Sequence, residues 1–332
     1  MVKGKSELAK GTWLTYRPDI KVLDCTVRDG GLIDNHMFED GFVKAVYDCC
    51  VAAGVDYMEL GYKGSSKIFS RDEYGSWKFT TEDDLRRIVG DNDTSLVLCA
   101  MADAERTDYH TDILPRQESV LGMIRVATYI HQIPVAMDMI KDAHDKGYET
   151  TVNLMAVSAV QERELLEALD SLAKSEVGTI YMVDSFGSFY SEQIRDLTLS
   201  YLKAVEGTGK KIGMHMHNNM QLAYANTIEG LILGASMLDA TINGMGRGAG
   251  NCPLELLLAF LKNPKFRLRP VLQCIGDHFL PLLESRKMEW GYMIPYLVTG
   301  MLNQHPRAAM KWRAGNTPDD YVTFYDQVVE ED

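Results

Sequence analysis

The chain has 332 residues, of which 46% are hydrophobic and 24% are charged. This composition is typical of a globular protein and excludes disordered, collagen-like and fibrous classes. The sequence contains no apolar stretch of transmembrane length and no secretory h-region at its N-terminus, so we expect a cytoplasmic protein that does not bind membranes. The formal net charge of −13, with dispersed basic residues, would repel phosphate backbones, so nucleic acid is not an expected partner.

Short β-rich segments alternate with longer amphipathic segments along most of the chain, a pattern typical of a parallel sheet built from βα units. The predicted strands are 21–25, 55–61, 95–101, 122–127, 149–155, 179–184, 211–217 and 237–242. The predicted helices between them include 39–53, 81–89, 132–146, 160–174, 190–205 and 220–234. Eight units favour a closed (β/α)8 TIM barrel over a doubly wound open sheet.

The predicted barrel spans residues 21–262 and is flanked by two further regions. Residues 1–20 are predicted to form an N-terminal arm, and residues 263–332 a C-terminal helical region. The Gly-, Ser- and charge-rich segment 63–79 is predicted to be a loop over the top of the barrel.

Six cysteines occur without a C-x-x-C pair or disulfide-scaffold spacing, which indicates reduced and mostly buried thiols. Cys252, beside a glycine-rich loop, is the one candidate for a reactive thiol.

Three strand ends are unusually polar, and the C-terminal ends of barrel strands are where active sites form. His215 and His217 are two residues apart on a predicted strand, so both side chains face the same way. Two imidazoles with a carboxylate from a neighbouring strand end suit a divalent cation, and Asp29, after the first strand, fits that role. The alternative for an isolated H-x-H pair is simple alternation on a half-buried strand.

The loop 243–251 has glycine at every second position and leads into a helical pattern. Its amides could bind an anion at the helix N-terminus, or its glycines could simply allow a tight turn. It does not match G-x-G-x-x-G, so dinucleotide binding is a weak interpretation.

Three motifs together resemble the DRE-TIM metallolyase superfamily (HMG-CoA lyase-like), and especially its 4-hydroxy-2-oxovalerate aldolase branch. They are T-V-R-D-G at 26–30, H-M-H-N-N at 215–219 and G-M-G-R-G-A-G-N at 244–251. The resemblance covers about residues 20–262. It implies that Asp29, His215 and His217 bind a metal, that Asn251 is a further ligand, and that Arg28 stabilises an enolate oxygen.

The resemblance also raises a question about proton transfer. The aldolases carry a catalytic histidine three residues after the metal-binding aspartate, and this chain has Leu32 there. Tyr296 matches a tyrosine near the aldolases' proton-transfer site, and His36 could reach the site from its loop. Tyr296 is the favoured proton carrier of the two. Glu59 and Asp184, near strand ends, are expected to orient ligands, and Arg125 to pair with either of them.

The function implied is a metal-dependent (class II) pyruvate aldolase, which interconverts a 4-hydroxy-2-oxo acid with pyruvate and an aldehyde through a metal-bound enolate. The expected cofactor is a divalent cation, with Mn²⁺ favoured over Mg²⁺, Co²⁺ or Zn²⁺. A homodimer and, by analogy, an aldehyde dehydrogenase are the expected protein partners. Two alternatives are a Claisen-type synthase that condenses an acyl-CoA with a 2-oxo acid, and a non-catalytic barrel that serves as a binding or assembly protein.

Overall fold

The computed structural model describes residues 19–261, 263–285, 288–315 and 317–330. The arm predicted for residues 1–20 therefore lies outside the described residues, apart from its last two. Within the described ranges, no helix is long and apolar enough to cross a membrane.

Eight parallel strands close into a barrel in the order β1 to β8, which confirms the predicted TIM barrel. Strand β1 pairs with both β2 and β8, so the sheet closes between the first and last strands. The strands are β1 (Lys21–Asp24), β2 (Tyr57–Tyr62), β3 (Val97–Asp103), β4 (Met123–Thr128), β5 (Glu149–Leu154), β6 (Thr179–Asp184), β7 (Lys211–Met216) and β8 (Met237–Ala240).

Helices surround the barrel and bury their apolar faces against the strands, as the 3.6-residue pattern predicts. The helices up to the end of the barrel are α1 (Thr26–Gly30), α2 (Asp40–Ala53), α3 (Glu82–Val89), α4 (Tyr109–Asp112), α5 (Ile133–Asp145), α6 (Glu162–Ala173), α7 (Ser191–Ala204), α8 (Ala223–Leu233) and α9 (Leu254–Leu261). Helix α3 begins at a capping box, because the Thr81 hydroxyl accepts from the Asp84 amide and the Asp84 carboxylate accepts from the Thr81 amide. The six predicted helices are confirmed as α2, α3 and α5 to α8.

The C-terminal region consists largely of helices, as predicted. Its α-helices are α10 (Leu268–Cys274), α11 (Leu280–Glu284), α12 (Ile294–Met301), α13 (Arg307–Arg313) and α14 (Tyr321–Glu330). Residues of α12 to α14 form a separate apolar cluster that includes Ala249, from the glycine-rich loop after β8. This packing brings the C-terminal helices to the edge of the barrel mouth. The predicted domain boundary at residue 262 stays a prediction.

The barrel interior holds charged side chains as well as apolar ones. Arg125, on β4, is fully buried and donates to Glu59 on β2 at 2.8 Å and to Asp239 on β8 at 2.6 Å. The expected pairing with Glu59 is confirmed, and the alternative pairing with Asp184 is wrong. Asp184 instead accepts hydrogen bonds from the backbone amides of Ser188 and Phe189, beyond the end of β6.

Candidate active site at the barrel mouth

A cleft of about 1030 Å³, including the part open to solvent, lies at the C-terminal ends of the strands. We call it the mouth cleft. Its lining includes Arg28, Asp29, Leu32, Tyr62, Lys78, Asp103, Arg106, His215, His217, Arg247, His305 and Arg307. The polar strand ends and the long 63–79 segment thus meet at one site, together with the C-terminal region.

Asp29, His215 and His217 converge at the base of the mouth cleft. Oδ2 of Asp29 lies 3.5 Å from Nε2 of His215 and 3.9 Å from Nε2 of His217. All three side chains are buried, and one ligand atom from each lies within 4.8 Å of the ligand atoms of the other two. The one-turn helix α1 places Asp29 here, and β7 with the residue after it carries the two histidines. The structure therefore brings together the three residues predicted as ligands.

Asn251 lies beside this trio. A Cβ atom on Gly246 would overlap the Asn251 amide nitrogen and would lie 2.8 Å from Oδ1 of Asp29, so only glycine fits between them. Oδ1 of Asp29 and Oδ1 of Asn251 are both buried without a hydrogen-bond partner among the described residues. Buried acceptors without donors are costly unless a cation satisfies them. Two imidazoles, a carboxylate and an amide oxygen thus fit the divalent cation that the sequence predicts.

The ring of His215 is held by a carboxylate on the next strand. Nδ1 of His215 lies 2.9 Å from Oδ2 of Asp239, so the hydrogen on Nδ1 is donated to that oxygen and Nε2 is directed at Asp29. This arrangement is typical of metal-binding histidines. Sequence analysis missed Asp239, although a lone acidic residue inside the apolar segment 237–242 was a signal for it.

Arg28 joins the site to the charges inside the barrel. Its Nη1 donates to Asp29 at 2.6 Å and its Nε donates to Glu59 at 2.7 Å. Its Nη2 is buried and has no partner among the described residues. The guanidinium is therefore fixed in orientation and keeps one donor available at the mouth cleft. Glu59 accepts from Arg28 and from Arg125, and its expected role in orienting a ligand stays a prediction.

The pKa shifts reflect burial opposed by ion pairing. Burial would raise the pKa of Asp29, but Arg28 and the two imidazoles hold it well below its usual range. Burial lowers the pKa of His217 to about 3, so at neutral pH this imidazole is uncharged and its approach to Asp29 is not an ion pair. Burial also lowers the pKa of His215, but its hydrogen bonds to Asp239 and Asp29 outweigh this and raise the pKa.

The residues predicted to transfer protons lie away from this trio. Tyr296 is buried in α12 and packs on the glycine-rich loop, where a Cβ on Gly248 would lie 3.5 Å from its ring. His36 is buried, with its ring edge against Tyr62, and burial lowers its pKa to about 3. Neither belongs to the lining of the mouth cleft, whereas Leu32 does. Their catalytic roles stay predictions.

Two further expectations concern single residues. The reactive role considered for Cys252 is wrong, because the thiol is fully buried and burial raises its pKa to about 12. Lys78 of the predicted top loop lines the mouth cleft, with its ammonium 4.0 Å from the ring centre of Phe69 and 4.2 Å from that of Tyr62. Nothing in the motif pattern marked Lys78, because the segment between β2 and α3 resembles an ordinary surface loop.

The profile of the HMGL-like family matches residues 19–274, which is most of the chain. The chain belongs to the HMGL-like family. Among its relatives in this family is the oxaloacetate decarboxylase of Mycobacterium tuberculosis, 33% identical over 255 residues, which cover 75% of this chain and 71% of the relative. The 4-hydroxy-2-oxovalerate aldolase of Pelotomaculum thermopropionicum is 27% identical over 260 residues, which cover 78% of this chain and 75% of the relative. The superfamily resemblance drawn from the three motifs is thereby confirmed.

Solved structures of HMGL-like fold agree with this assignment. The N-terminal domain of a proposed aldolase from Bacteroides vulgatus superimposes with a TM-score of 0.77 and 30% identity, covering 90% of this chain and 97% of that one. The HMG-CoA lyase of Bacillus subtilis superimposes with a TM-score of 0.67 over 82% of this chain and 96% of that one. At 14% identity, the second comparison supports the fold alone.

Proposed function

We propose that this protein is a divalent-cation-dependent carbon–carbon lyase that cleaves 4-hydroxy-2-oxo acids to pyruvate and an aldehyde and catalyses the reverse condensation. The observation that carries the proposal is the convergence of Asp29, His215 and His217 beside Arg28, whose Nη2 has no partner among the described residues. The relatives named aldolase and decarboxylase support cleavage of a carbon–carbon bond in a 2-oxo acid.

The proposed metal ligands are Asp29, His215, His217 and Asn251. When bound, the divalent cation supplies Lewis acidity at the 2-oxo group, which makes the adjacent carbon able to accept the electron pair of the broken bond. We favour Mn²⁺, because carboxylate and amide oxygens together with imidazole nitrogens suit this cation. Asp239 holds the His215 ring in its ligand orientation.

Arg28 is the proposed electrophile for the oxygen that becomes negatively charged as the carbon–carbon bond breaks. Its fixed position between Asp29 and Glu59 means that Nη2 need not reorganise during the reaction. The ion pairs occupy Nη1 and Nε of the guanidinium group, so Nη2 is the nitrogen that can donate to substrate.

Aldol cleavage also requires a group that accepts the proton of the 4-hydroxyl. We assign this role to Tyr296, acting as its phenolate next to the loop that carries Arg247, with His36 as the alternative. A pKa of about 3 leaves His36 a weak base at neutral pH, which favours Tyr296. Movement of the glycine-rich loop would be needed for the Tyr296 hydroxyl to reach substrate.

Decarboxylation of a 2-oxo acid that carries a carboxylate on C3, as oxaloacetate does, is a second candidate function. The leaving carboxylate is already ionised, so this reaction needs no base for a hydroxyl proton, and Leu32 occupies the place of the aldolases' histidine on the wall of the mouth cleft. The 33% identity to an oxaloacetate decarboxylase favours the same candidate. Claisen condensation uses the same donors, whereas a non-catalytic barrel would retain several buried charges without benefit.

A product screen with the Mn²⁺-loaded protein tests the proposal. Pyruvate together with an aldehyde from a 4-hydroxy-2-oxo acid is the expected result. If pyruvate is released only from oxaloacetate, together with carbon dioxide, the protein is a decarboxylase and not an aldolase. If an acyl-CoA and a 2-oxo acid yield free coenzyme A, the protein is a Claisen-type synthase. The predicted homodimer, aldehyde dehydrogenase partner and cytoplasmic location remain predictions.

A further inference from the structure

The mouth cleft is positively charged in a protein that is otherwise acidic. Five lysine or arginine side chains line it but only two aspartates, while the chain as a whole has a formal net charge of −13. A concave site with a reversed sign of charge concentrates anions and steers them inward. The question is which of the five cations are available to a ligand.

Three of the five already have compensating neighbours. Arg28 is paired with Asp29 and Glu59. Lys78 is packed against the rings of Tyr62 and Phe69, and the charges of Lys78 and Arg106 oppose the effect of burial on the pKa of Asp103, so both lie close to that carboxyl group.

Arg247 and Arg307 have no such partner. Within the part of the chain that the structure describes, no carboxylate oxygen lies within 4.0 Å of either guanidinium group. Nε of Arg247 is buried and makes no hydrogen bond there. A buried guanidinium donor without an acceptor is costly, and a planar fork of donors is suited to phosphate or carboxylate.

His305 completes a cluster with these two arginines, the distal cluster. The backbone amide of Arg307 donates to Nδ1 of His305 at 3.1 Å, so the ring hydrogen is on Nε2. Burial, together with Arg247 and Arg307, lowers the pKa of His305 to about 3, which keeps the ring neutral. Its Nε2–H is then a neutral donor between two cations, and the edge of its ring meets Phe186.

The distal cluster lies close to the proposed metal ligands. Arg247 follows Gly246, which packs against Asp29, and its charge is among those that lower the pKa of His217. Arg307 and His305 approach the same cleft from the C-terminal region. A substrate held at the trio by its 2-oxo acid end would extend its other end within reach of this cluster.

On the basis of the function proposed above, we infer that the aldehyde half of the substrate carries a terminal phosphate or carboxylate, which is bound by Arg247, Arg307 and His305. The substrates are then 4-hydroxy-2-oxo acids with a second anionic group, rather than simple alkyl ones. The second anion gives the cleft its specificity, because a neutral chain would leave the buried Nε of Arg247 without an acceptor.

Equilibrium binding of matched aldehydes tests the inference. The Mn²⁺-loaded full chain is saturated with oxalate, a planar mimic of the pyruvate enolate, and titrated with glyceraldehyde 3-phosphate or glyceraldehyde, and with succinic semialdehyde or butanal. The double variant Arg247→Gln/Arg307→Gln is compared with Arg163→Gln, an arginine on the exposed surface of α6. Melting temperature and oxalate affinity identify variants that fold and keep the metal site.

We expect the anionic aldehyde of at least one pair to bind at least about tenfold more tightly than its neutral partner in the wild type and in Arg163→Gln. This preference should fall below about threefold in the double variant. A larger preference in the glyceraldehyde pair would indicate a phosphate, and a larger preference in the pair of succinic semialdehyde and butanal would indicate a carboxylate. Equal affinities within both pairs, or a preference that survives in a folded double variant, would overturn the inference.

The same proteins, assayed with pyruvate in place of oxalate, separate this inference from the proposed function. If the anionic aldehydes bind selectively but no aldehyde condenses with pyruvate, the proposed aldolase function is wrong, whereas the proposed anion binding by the distal cluster is supported. If condensation proceeds equally with charged and neutral aldehydes, the function stands and the cluster has no role in specificity.

Discussion

Oδ2 of Asp239 lies 2.9 Å from Nδ1 of His215 and 2.6 Å from Nη2 of Arg125, so one carboxylate oxygen serves both a proposed metal ligand and a buried cation. The contact continues a line of alternating charges from Asp29 through Arg28 and Glu59 to Arg125. Both imidazoles must be neutral to bind a metal, and in that state these three carboxylates and two guanidinium groups leave one net negative charge. A divalent cation therefore meets an electrostatically favourable site without any further acidic residue.

Replacing the oxygen that holds His215 should weaken metal binding. In Asp239→Asn the amide can still accept from His215 or face Arg125, but it no longer carries the charge that fixes the imidazole. We expect a loss of metal affinity of about 10- to 100-fold, measured by calorimetric titration with Mn²⁺. Because Arg125 loses one of its two partners, the melting temperature should also fall.

Asp184→Asn is the matched control for this experiment. Asp184 is a buried carboxylate at the end of β6 that accepts from backbone amides rather than from a proposed ligand. Its variant should bind Mn²⁺ as the wild type does. Equal metal affinity in Asp239→Asn and the wild type would contradict the orienting role of Asp239.

Arg28→Lys tests the fixed guanidinium. A lysine retains the positive charge but cannot contact Asp29 and Glu59 while presenting a third donor to substrate. We expect turnover to fall by roughly 10²-fold with metal affinity nearly unchanged. Arg87→Lys, at a surface arginine that bridges Asp40 and Asp84, should retain full turnover. A loss confined to metal affinity would refute direct action of Arg28 on substrate.

Tyr296→Phe tests the proton carrier, because phenylalanine keeps the ring that packs on the glycine-rich loop. Turnover should drop at least about tenfold, while the melting temperature and metal content stay close to those of the wild type. Tyr201→Phe removes the hydroxyl of another buried tyrosine, which lies on α7, and it should keep wild-type turnover. Unchanged turnover in Tyr296→Phe would reduce this residue to a packing role.

The free energy of unfolding should depend on pH partly through the titration of Asp24. Burial raises the pKa of Asp24 to about 7, despite hydrogen bonds from Thr26 that lower it. The folded state therefore binds this proton more tightly than the unfolded state does, so its stabilising contribution is complete below the unfolded pKa of 3.8 and is lost as pH rises through about 7.

Urea unfolding of the wild type and Asp24→Asn at several pH values measures this contribution. The stability of the wild type relative to the variant should decline between pH 4 and pH 7, by about 1.4 kcal/mol for each unit of pKa difference, and then level off. A difference that does not change with pH would show that Asp24 keeps its ordinary pKa in the folded protein.

Much of the fold was predictable because each βα unit has a strong local pattern. The KVLDC segment is a short β-rich run, and the segment 39–53 repeats apolar residues at helical spacing. The structure places β1 and α2 there. The metal trio was predictable because H-x-H alternation and R-D-G fix side chains at the ends of β7 and β1, which β8 separates in the closed barrel. These signals are local in sequence, so they can be recognised without knowing how distant parts of the chain pack.

The rest depends on contacts between residues distant in sequence. Arg125 and Asp239 are 114 positions apart in the sequence. Closure of the barrel brings them into contact, and it places Asp239 beside His215 as well. His305 and Arg307 reach the mouth cleft because α12 to α14 pack on the loop after β8, which no local pattern encodes. The same is true of Tyr296, whose position behind that loop follows from packing.

The most direct test of the central claim is pyruvate release from a 4-hydroxy-2-oxo acid by one preparation that is first stripped with a chelator and then given one equivalent of Mn²⁺. A coupled lactate dehydrogenase assay follows the product, and His217→Gln is treated in parallel. We predict no release from the stripped protein, restored release with Mn²⁺, and little release from His217→Gln at the same metal concentration. Release that persists without metal, or that is equal in His217→Gln, would contradict a catalytic centre built on Asp29, His215 and His217.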